Sequence, residues 1–390
     1  MTGVKNPALP AFAASTTNTF ESDDYEQGEM EYRFVSMYAN GAYTLMDKYS
    51  FNASIRVDQS NLFGTDPGVQ FKPIWSTGAI WNMAKEDFMS STAGWLNRLN
   101  LRASFGYAGN SPDPGKGGPY DILSSVSNPD YSRFGLGYVV VTPANDKLSW
   151  EKTRTINLGI DWAVLNNRIS GEIDLYDKKT TNLLGDAPVD PTTGFTTVLS
   201  NIGTMTNKGI EFTLNTVNIG KKNFQWRTGI TLSMNRNKLT KLNTDGATIQ
   251  GQVGSNVYTL SEVGQPIGQF YGYNVIGMFT DEDSFYQTNG LGEPLLNAQG
   301  ERIPVARPVD TNGDLQPIAV NGVWVGDYIW EDVNKDGKIT EADRKYIGNP
   351  NPDFTFGINN SFTYRDFELS FFINGSVGND VYNILRQNHT

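Results

Sequence analysis

Residues 354–364, FTFGINNSFTY, put Phe354, Phe356, Ile358, Phe362 and Tyr364 on one side of an extended chain, with Asn360 alone interrupting them. Thr355, Gly357, Asn359, Ser361 and Thr363 fall on the other side. Side chains of a strand alternate faces with period two, so the pattern reads as a strand and not a helix. After a tight connection at Arg365-Asp366 it resumes as Phe367, Leu369, Phe371 and Ile373 against Glu368, Ser370 and Asn374, with Phe372 out of place. Length narrows the choice further. Strands of soluble proteins usually run ~5–6 residues. A strand of roughly 11 residues at ~3.3 Å each, tilted by ~40–45°, rises about 26 Å, which is the height of the apolar band around an outer-membrane barrel.

The same hairpin recurs. Strands are expected near 32–46, along Phe51, Ala53, Ile55 and Val57, and near 72–83 with Trp75, Thr77, Ala79 and Trp81 on one face. After a short helical turn in 84–95, Leu99, Leu101, Ala103, Phe105 and Tyr107 alternate with Asn100, Arg102, Ser104 and Gly106. Further alternating runs cover 156–162, 169–175, 210–214 and 224–234. Short turns near 47, 84–96, 164–167, 220–223 and 365 alternate with long polar stretches at 58–71, 108–150, 178–207 and 241–353. That asymmetry belongs to an all-β, antiparallel transmembrane β-barrel, partial at about ten long strands, with short periplasmic turns and long extracellular loops. Residues 1–30 read as an outer loop or disordered lead-in, 31–390 as the barrel, and 241–353 as one long extracellular loop.

A hydrophobic fraction of only 38% fits this reading, because a barrel strand hides its lipid-facing half behind polar alternates. No run approaches the ~18 apolar residues of a membrane-spanning helix. Catalytic chemistry is poorly served: there is no cysteine, and the single histidine, His389, lies at the extreme end, which leaves no Cys or multi-His site and no His-based triad. A net charge of −11 without a basic run gives no electrostatic reason for a nucleic-acid partner.

One stretch carries ligand chemistry. Asp332, Asn334 and Asp336 occupy positions 1, 3 and 5 of a loop with Gly337 at 6, Lys338 at 7 and Asp343 at 12, the spacing of an EF-hand-type Ca²⁺ loop. Hard oxygen donors at alternate positions converge on one ion, the glycine permits the sharp turn, and Lys338 offers its carbonyl. The same residues also make an acidic turn without an ion, closed by Asn and Asp side chains on their own backbone. Asp310–Asp314 has no downstream acidic partner and reads as such a plain turn. Trp324, Tyr328 and Trp330 lie in the long outer loop and are candidates for stacking on a substrate, or for packing the loop itself.

Five segments in order, LNLRASFGYAGN (99–110), LSWEKTRTINLGID (148–161), NIGTMTNKGIEFTLN (201–215), VGQPIGQFYGY (263–273) and GDYIWEDVNKDGKITEADRKYIGNPNPDFTFG (326–357), resemble the barrel of SusC/RagA-type TonB-dependent outer-membrane transporters. The resemblance covers nearly everything from residue 31 onward. It implies the outer membrane of a Gram-negative bacterium, no enzymatic activity, and import of oligosaccharides or peptides together with a SusD-type surface lipoprotein. The family's signal peptide, amino-terminal plug and TonB-contacting segment have no counterpart here, and the last strands after Val381 look cut off. The chain therefore reads as a carboxy-terminal barrel fragment, with TonB reached through the missing amino-terminal region. Two alternatives stay open at the level of sequence: a secreted, calcium-stabilised carbohydrate-binding β-sandwich, and a siderophore-type TonB receptor.

Overall fold

The computed structural model describes residues 33–61, 65, 73–112, 117–126, 137–243, 249–252, 258–316 and 323–383. The 1–30 lead-in and His389 lie outside the described residues. The chain opens with β1 (Phe34–Leu45), β2 (Tyr49–Ser60), β3 (Ile74–Asn82) and β4 (Leu96–Asn110). A small hairpin, β5 (Ile122–Val126) and β6 (Gly137–Thr142), leads to β7 (Glu151–Val164), β8 (Ile169–Pro188), β9 (Thr197–Lys221) and β10 (Phe224–Leu242). An excursion follows with β11 (Ile249–Gln252), β12 (Tyr258–Ser261), β13 (Gln269–Gly272), β14 (Val275–Met278), β15 (Arg307–Pro308), β16 (Tyr328–Trp330), β17 (Lys338–Ile339) and β18 (Lys345–Gly348). It ends in the hairpin of β19 (Phe354–Tyr364) and β20 (Phe367–Val377).

Ten strands make one antiparallel sheet in the order β1-β2-β3-β4-β7-β8-β9-β10-β19-β20, each neighbour in space being the next long strand in sequence. These strands run from 9 to 25 residues, far beyond the ~5–6 of a sandwich. The register carries apolar residues laterally from strand to strand: Leu45, Tyr49, Trp81, Leu101, Ile160, Ile173, Phe212, Leu232 and Phe356 are successive cross-strand partners. The opposite face carries Arg102, Asp161, Asp174 and Glu211. There the Arg102 guanidinium bridges Asp161 at 2.8 Å and Asp174 at 3.0 Å. A half-buried charge cluster of this kind needs a polar surround, which identifies the apolar face as the lipid side and the other as the lumen.

That lateral row is not level. Leu45 ends β1 beside its turn, yet seven strand steps later the row meets Leu232, eight residues past the turn-side end of β10 at Phe224. A stagger of eight residues at ~3.3 Å over seven spacings of ~4.8 Å is a tilt of about 38°, within the range that closed membrane barrels require.

The two irregular positions of the last hairpin have local causes. Phe372 faces the lumen and lies against Gly357, where an added Cβ would stand 3.0 Å from its ring; the glycine supplies the space that the aromatic fills. Asn360 sits on the lipid side, its Oδ1 accepting from Trp226 Nε1 at 3.0 Å and Thr228 Oγ1 at 2.8 Å.

The stretches expected as long loops are shorter and more ordered than their polarity suggests. Within 178–207, β8 continues to Pro188 and β9 begins at Thr197, with a 3-10 turn at Pro191–Thr193 capped by Asp190. Thr153 and Thr180 hydroxyls still meet across the ladder at 2.8 Å. A strand that has risen above the bilayer keeps its backbone hydrogen bonds but no longer needs an apolar face, so alternation ends before the strand does. The described residues of 241–353 likewise include eight short strands, β11 to β18. On the opposite rim the turn between β3 and β4 is two short 3-10 segments, Met83–Lys85 and Asp87–Thr92, as the sequence suggested.

Candidate functional site

The excursion between β10 and β19 has its own small core. Phe279 and Phe285 stack at 4.3 Å, are buried in one cluster with Val323, and are flanked by Tyr286, Val305 and Ile329. Its stem is latched to the top of β10. Asn237 Nδ2 donates to Asn351 Oδ1 (2.8 Å), Ile267 N donates to Asn237 Oδ1 (2.7 Å), and Arg236 pairs with Asp353 at 2.7 Å. Four strands, β11-β12-β13-β18, form a sheet over this stem.

On that frame aromatic rings line up with one guanidinium. Arg344 lies over Tyr258 and over Tyr273, 5.2 Å from each ring centre. Tyr273 meets Trp330 edge-on at 5.8 Å, and Trp330 meets Tyr328 at 6.0 Å. Tyr328 and Trp330 then line a pocket of ≈ 280 Å³ with Pro308, Gln316, Val323 and Asp327. Trp324 stands apart from these rings and is 51% exposed; its backbone N–H donates to Asp327 Oδ2 at 2.6 Å. Of the three aromatics singled out in the sequence, the structure thus joins Tyr328 and Trp330 and leaves Trp324 outside the stack. It adds Tyr258, Tyr273 and Arg344, which no periodicity reveals because Tyr258 opens the four-residue β12, Tyr273 follows β13 and Arg344 precedes β18.

Glu331, next to Trp330, fixes the row from behind. Both its carboxylate oxygens accept from Lys345 Nζ (2.8 and 2.7 Å) and one also from Asn274 Nδ2 (2.5 Å). Hydrogen bonds from these two donors, Lys345 first, hold its pKa below the usual glutamate value.

The acidic loop is a tightly hydrogen-bonded turn. Asp332 accepts from Asp336 N (3.2 Å) and Gly337 N (2.9 Å), Asn334 Oδ1 from Asp336 N (2.9 Å), and Asp336 Oδ1 from Lys338 N (2.8 Å). Gly337 takes φ 84°, the left-handed conformation that the sharp bend needs and that glycine adopts without strain. Asp343, fully buried as the last residue of the 3-10 turn Glu341–Asp343, accepts from Val333 N (3.0 Å) and from the N-cap Thr340 N (2.7 Å), and so closes the far end of the loop onto its start. Asp310–Asp314 forms the neighbouring turn: Asp310 Oδ1 accepts from Asn312 N and Asp314 N, and Lys338 Nζ donates to Gly313 O at 2.7 Å. The donor set is all oxygen, and a carboxylate that accepts two N–H bonds keeps lone pairs to spare, so its chemistry suits a hard cation. Among the described residues, however, no three His, Cys, Asp or Glu side chains are gathered closely enough to hold one. The four side chains Asp332, Asn334, Asp336 and Asp343 share one loop, and Lys338 extends away to its neighbour.

Comparison with known families matches residues 3–388 to the family described as TonB dependent receptor-like, β-barrel. TonB-dependent receptor P3 of Formosa agariphila is 33% identical over 362 residues, covering 90% of this chain and 32% of that protein. TonB-dependent receptor SusC of Bacteroides thetaiotaomicron is 28% identical over 362 residues, covering 89% of this chain and 31% of that protein. The chain spans about a third of the length of these relatives. Among solved structures, that of the RagAB peptide transporter superposes with a TM-score of 0.66 at 22% identity, covering 89% of this chain and 34% of that one.

Proposed function

The chain belongs to the TonB dependent receptor-like β-barrel family, whose members are outer-membrane receptors and not enzymes, and from that premise we propose that the receptor imports oligosaccharides or peptides with a SusD-type surface lipoprotein and TonB. The observation that best supports an import role is the aromatic row Tyr273, Trp330 and Tyr328, carried on an excursion latched to the β10 rim and ending at an open pocket. Flat apolar rings with a wet edge suit both the faces of sugar rings and the side chains of peptides. Replacing Trp330 by Ala in the full-length receptor, expressed with its lipoprotein, should lower binding of the accepted cargo by about tenfold, the scale of one lost ring contact. Parallel titrations with oligosaccharide and peptide mixtures decide the cargo class. Unchanged binding of both would remove the row from the cargo path.

Calcium forms part of the same proposal, as a structural ion and not as a participant in transport. Asp332, Asn334, Asp336 and Asp343 would supply side-chain oxygens and Lys338 its carbonyl. A bound cation would draw the carboxylates of Asp332, Asp336 and Asp343 together against their mutual repulsion and stiffen the surface offered to the lipoprotein. Chelation should then speed proteolysis after Lys335 and Lys338 and weaken lipoprotein binding while leaving the barrel folded. An unchanged cleavage rate would identify the loop as an acidic turn alone.

A further inference from the structure

The lipid-facing side of the sheet does not end in neutral residues everywhere. On four adjacent strands, β7 to β10, the apolar rows give way to cations: Lys152 and Arg154, Lys179, Lys208, then Arg236 and Lys238. The register puts them on one face. Ile156, Leu158 and Ile160 share a side with Arg154, which is paired with Lys179. Lys208 is paired with both Asp177 and Arg236, while Ile210 and Met234 precede them on the same side. These six lie ten to fourteen residues from the turn-side ends Val164, Ile169, Lys221 and Phe224. At the tilt derived above they stand roughly 26–36 Å above the turns, just beyond an apolar band ~25 Å tall. At that height a lipid headgroup is their neighbour.

The patch is local and underneutralised. Ten residues from their turns, β1 puts Val35 on the same face, and β19 and β20 put Phe354 and Val377 there. Among the described residues two acids answer the six cations: Asp177 pairs with Arg154 at 3.2 Å and Lys208 at 2.8 Å, and Asp353 pairs with Arg236 at 2.7 Å. Among the described residues no ion pair reaches Lys179 or Lys238. Lys152 lies over the Tyr107 ring at 4.1 Å, an aromatic at the same boundary. In a chain of net charge −11 this concentration of positive charge runs against the overall balance.

We infer that the outward face of β7–β10 is a binding site for the phosphate-bearing headgroup of an outer-leaflet lipid. Several phosphates carried on a saccharide headgroup match a patch of spaced ammonium and guanidinium groups, with acyl chains lying down the Leu158, Leu175, Ile210 and Met234 rows beneath. This rests on the outer-membrane placement and not on what the receptor imports.

The test uses the full-length receptor in detergent with bisphosphorylated lipid A as probe and enzymatically dephosphorylated lipid A as control, retention being read by native mass spectrometry. The wild type should retain the phosphorylated form selectively, and inorganic phosphate at equal phosphorus should not displace it. The triple variant Lys179→Gln, Lys208→Gln, Lys238→Gln should lose retention by about a hundredfold, taking roughly fivefold for each cation near a charged lipid surface. Heat-modifiable electrophoretic mobility checks that the variant is folded. A second triple, Lys152→Gln, Arg154→Gln, Arg236→Gln, should lose it too if the first fails to fold. Equal retention of the two lipids, displacement by free phosphate, or a variant that changes only the oligomeric state would each overturn the assignment.

Discussion

The ten-stranded sheet and the excursion that rises from it are built on opposite terms. In the sheet, the strands share one instruction, apolar outward and polar inward, broken in the last hairpin at Asn360 and Phe372, and neighbours agree on it through the register from Leu45 to Phe356. Individual side chains are replaceable there so long as polarity is kept. In the excursion, strands are two to four residues long, too short to hold a register by themselves, and order comes from particular bonds: the Phe279–Phe285 stack, the Asp343 cap, the Glu331–Lys345 pair. The lesson is that the sheet tolerates identity changes and fails on polarity, whereas the excursion fails residue by residue.

The sharpest challenge to that contrast is Phe279→Ala. It should cost about 3–5 kcal/mol locally, read as faster hydrogen exchange throughout 275–330 with the sheet amides unchanged. Exchange spreading into β10 and β19 would mean the two regions fold as one unit. Next, Ile358→Arg should destabilise the full-length barrel by ~2–4 kcal/mol in reversible urea unfolding, while Asn359→Arg, on the lumen side, should cost little; equal costs would break the polarity rule. A smaller effect is expected from Asp343→Ala, which strands the Val333 and Thr340 N–H groups and should loosen the loop by about 1–3 kcal/mol. Measured with chelator present, this isolates the capping role from any ion.

The smallest effect tests the sheet where it borrows the excursion's manner. Glu86, in the turn below β3, accepts from Tyr49 Oη (2.6 Å), Trp81 Nε1 (2.9 Å) and Lys48 Nζ (3.0 Å), stitching two neighbouring turns together. These bonds, Tyr49 first, lower its pKa from 4.5 to about 2. A depressed carboxylate pKa stabilises the fold above the unfolded value and loses that contribution as pH falls towards the folded one. Melting temperatures of wild type and Glu86→Gln should thus differ most above pH 4.5 and converge near pH 2; a constant gap would show that the charge is not what binds the turns.

What was legible in the sequence follows the same division. Period-two alternation located all ten long strands, and turn chemistry located the short connections, because the bilayer enforces one simple rule along each strand. The extensions of β8 and β9 above the membrane were hidden, since Lys178–Asn182 carries no apolar alternation although its ladder continues. In the site, the loop spacing from Asp332 to Asp343 was visible because its residues are neighbours in sequence. Tyr258 and Arg344, 5.2 Å apart from ring centre to guanidinium, are joined only by the folded excursion and leave no local trace.

The pitch of the sheet has a consequence for the width of the barrel it would close. A sheet inclined at about 38° and continued through the 22 strands of plugged outer-membrane transporters would close on a bore about 40 Å across. A compact body of about 100 residues has a radius of gyration near 13 Å and would sit inside such a cylinder with little clearance. Side chains cannot stop an opening of that calibre, so passage would be governed by the displacement of a folded stopper rather than by narrowing of the wall. The inclination of these strands, written into eight residues of stagger, thus sets the calibre of the cylinder that such a sheet would close.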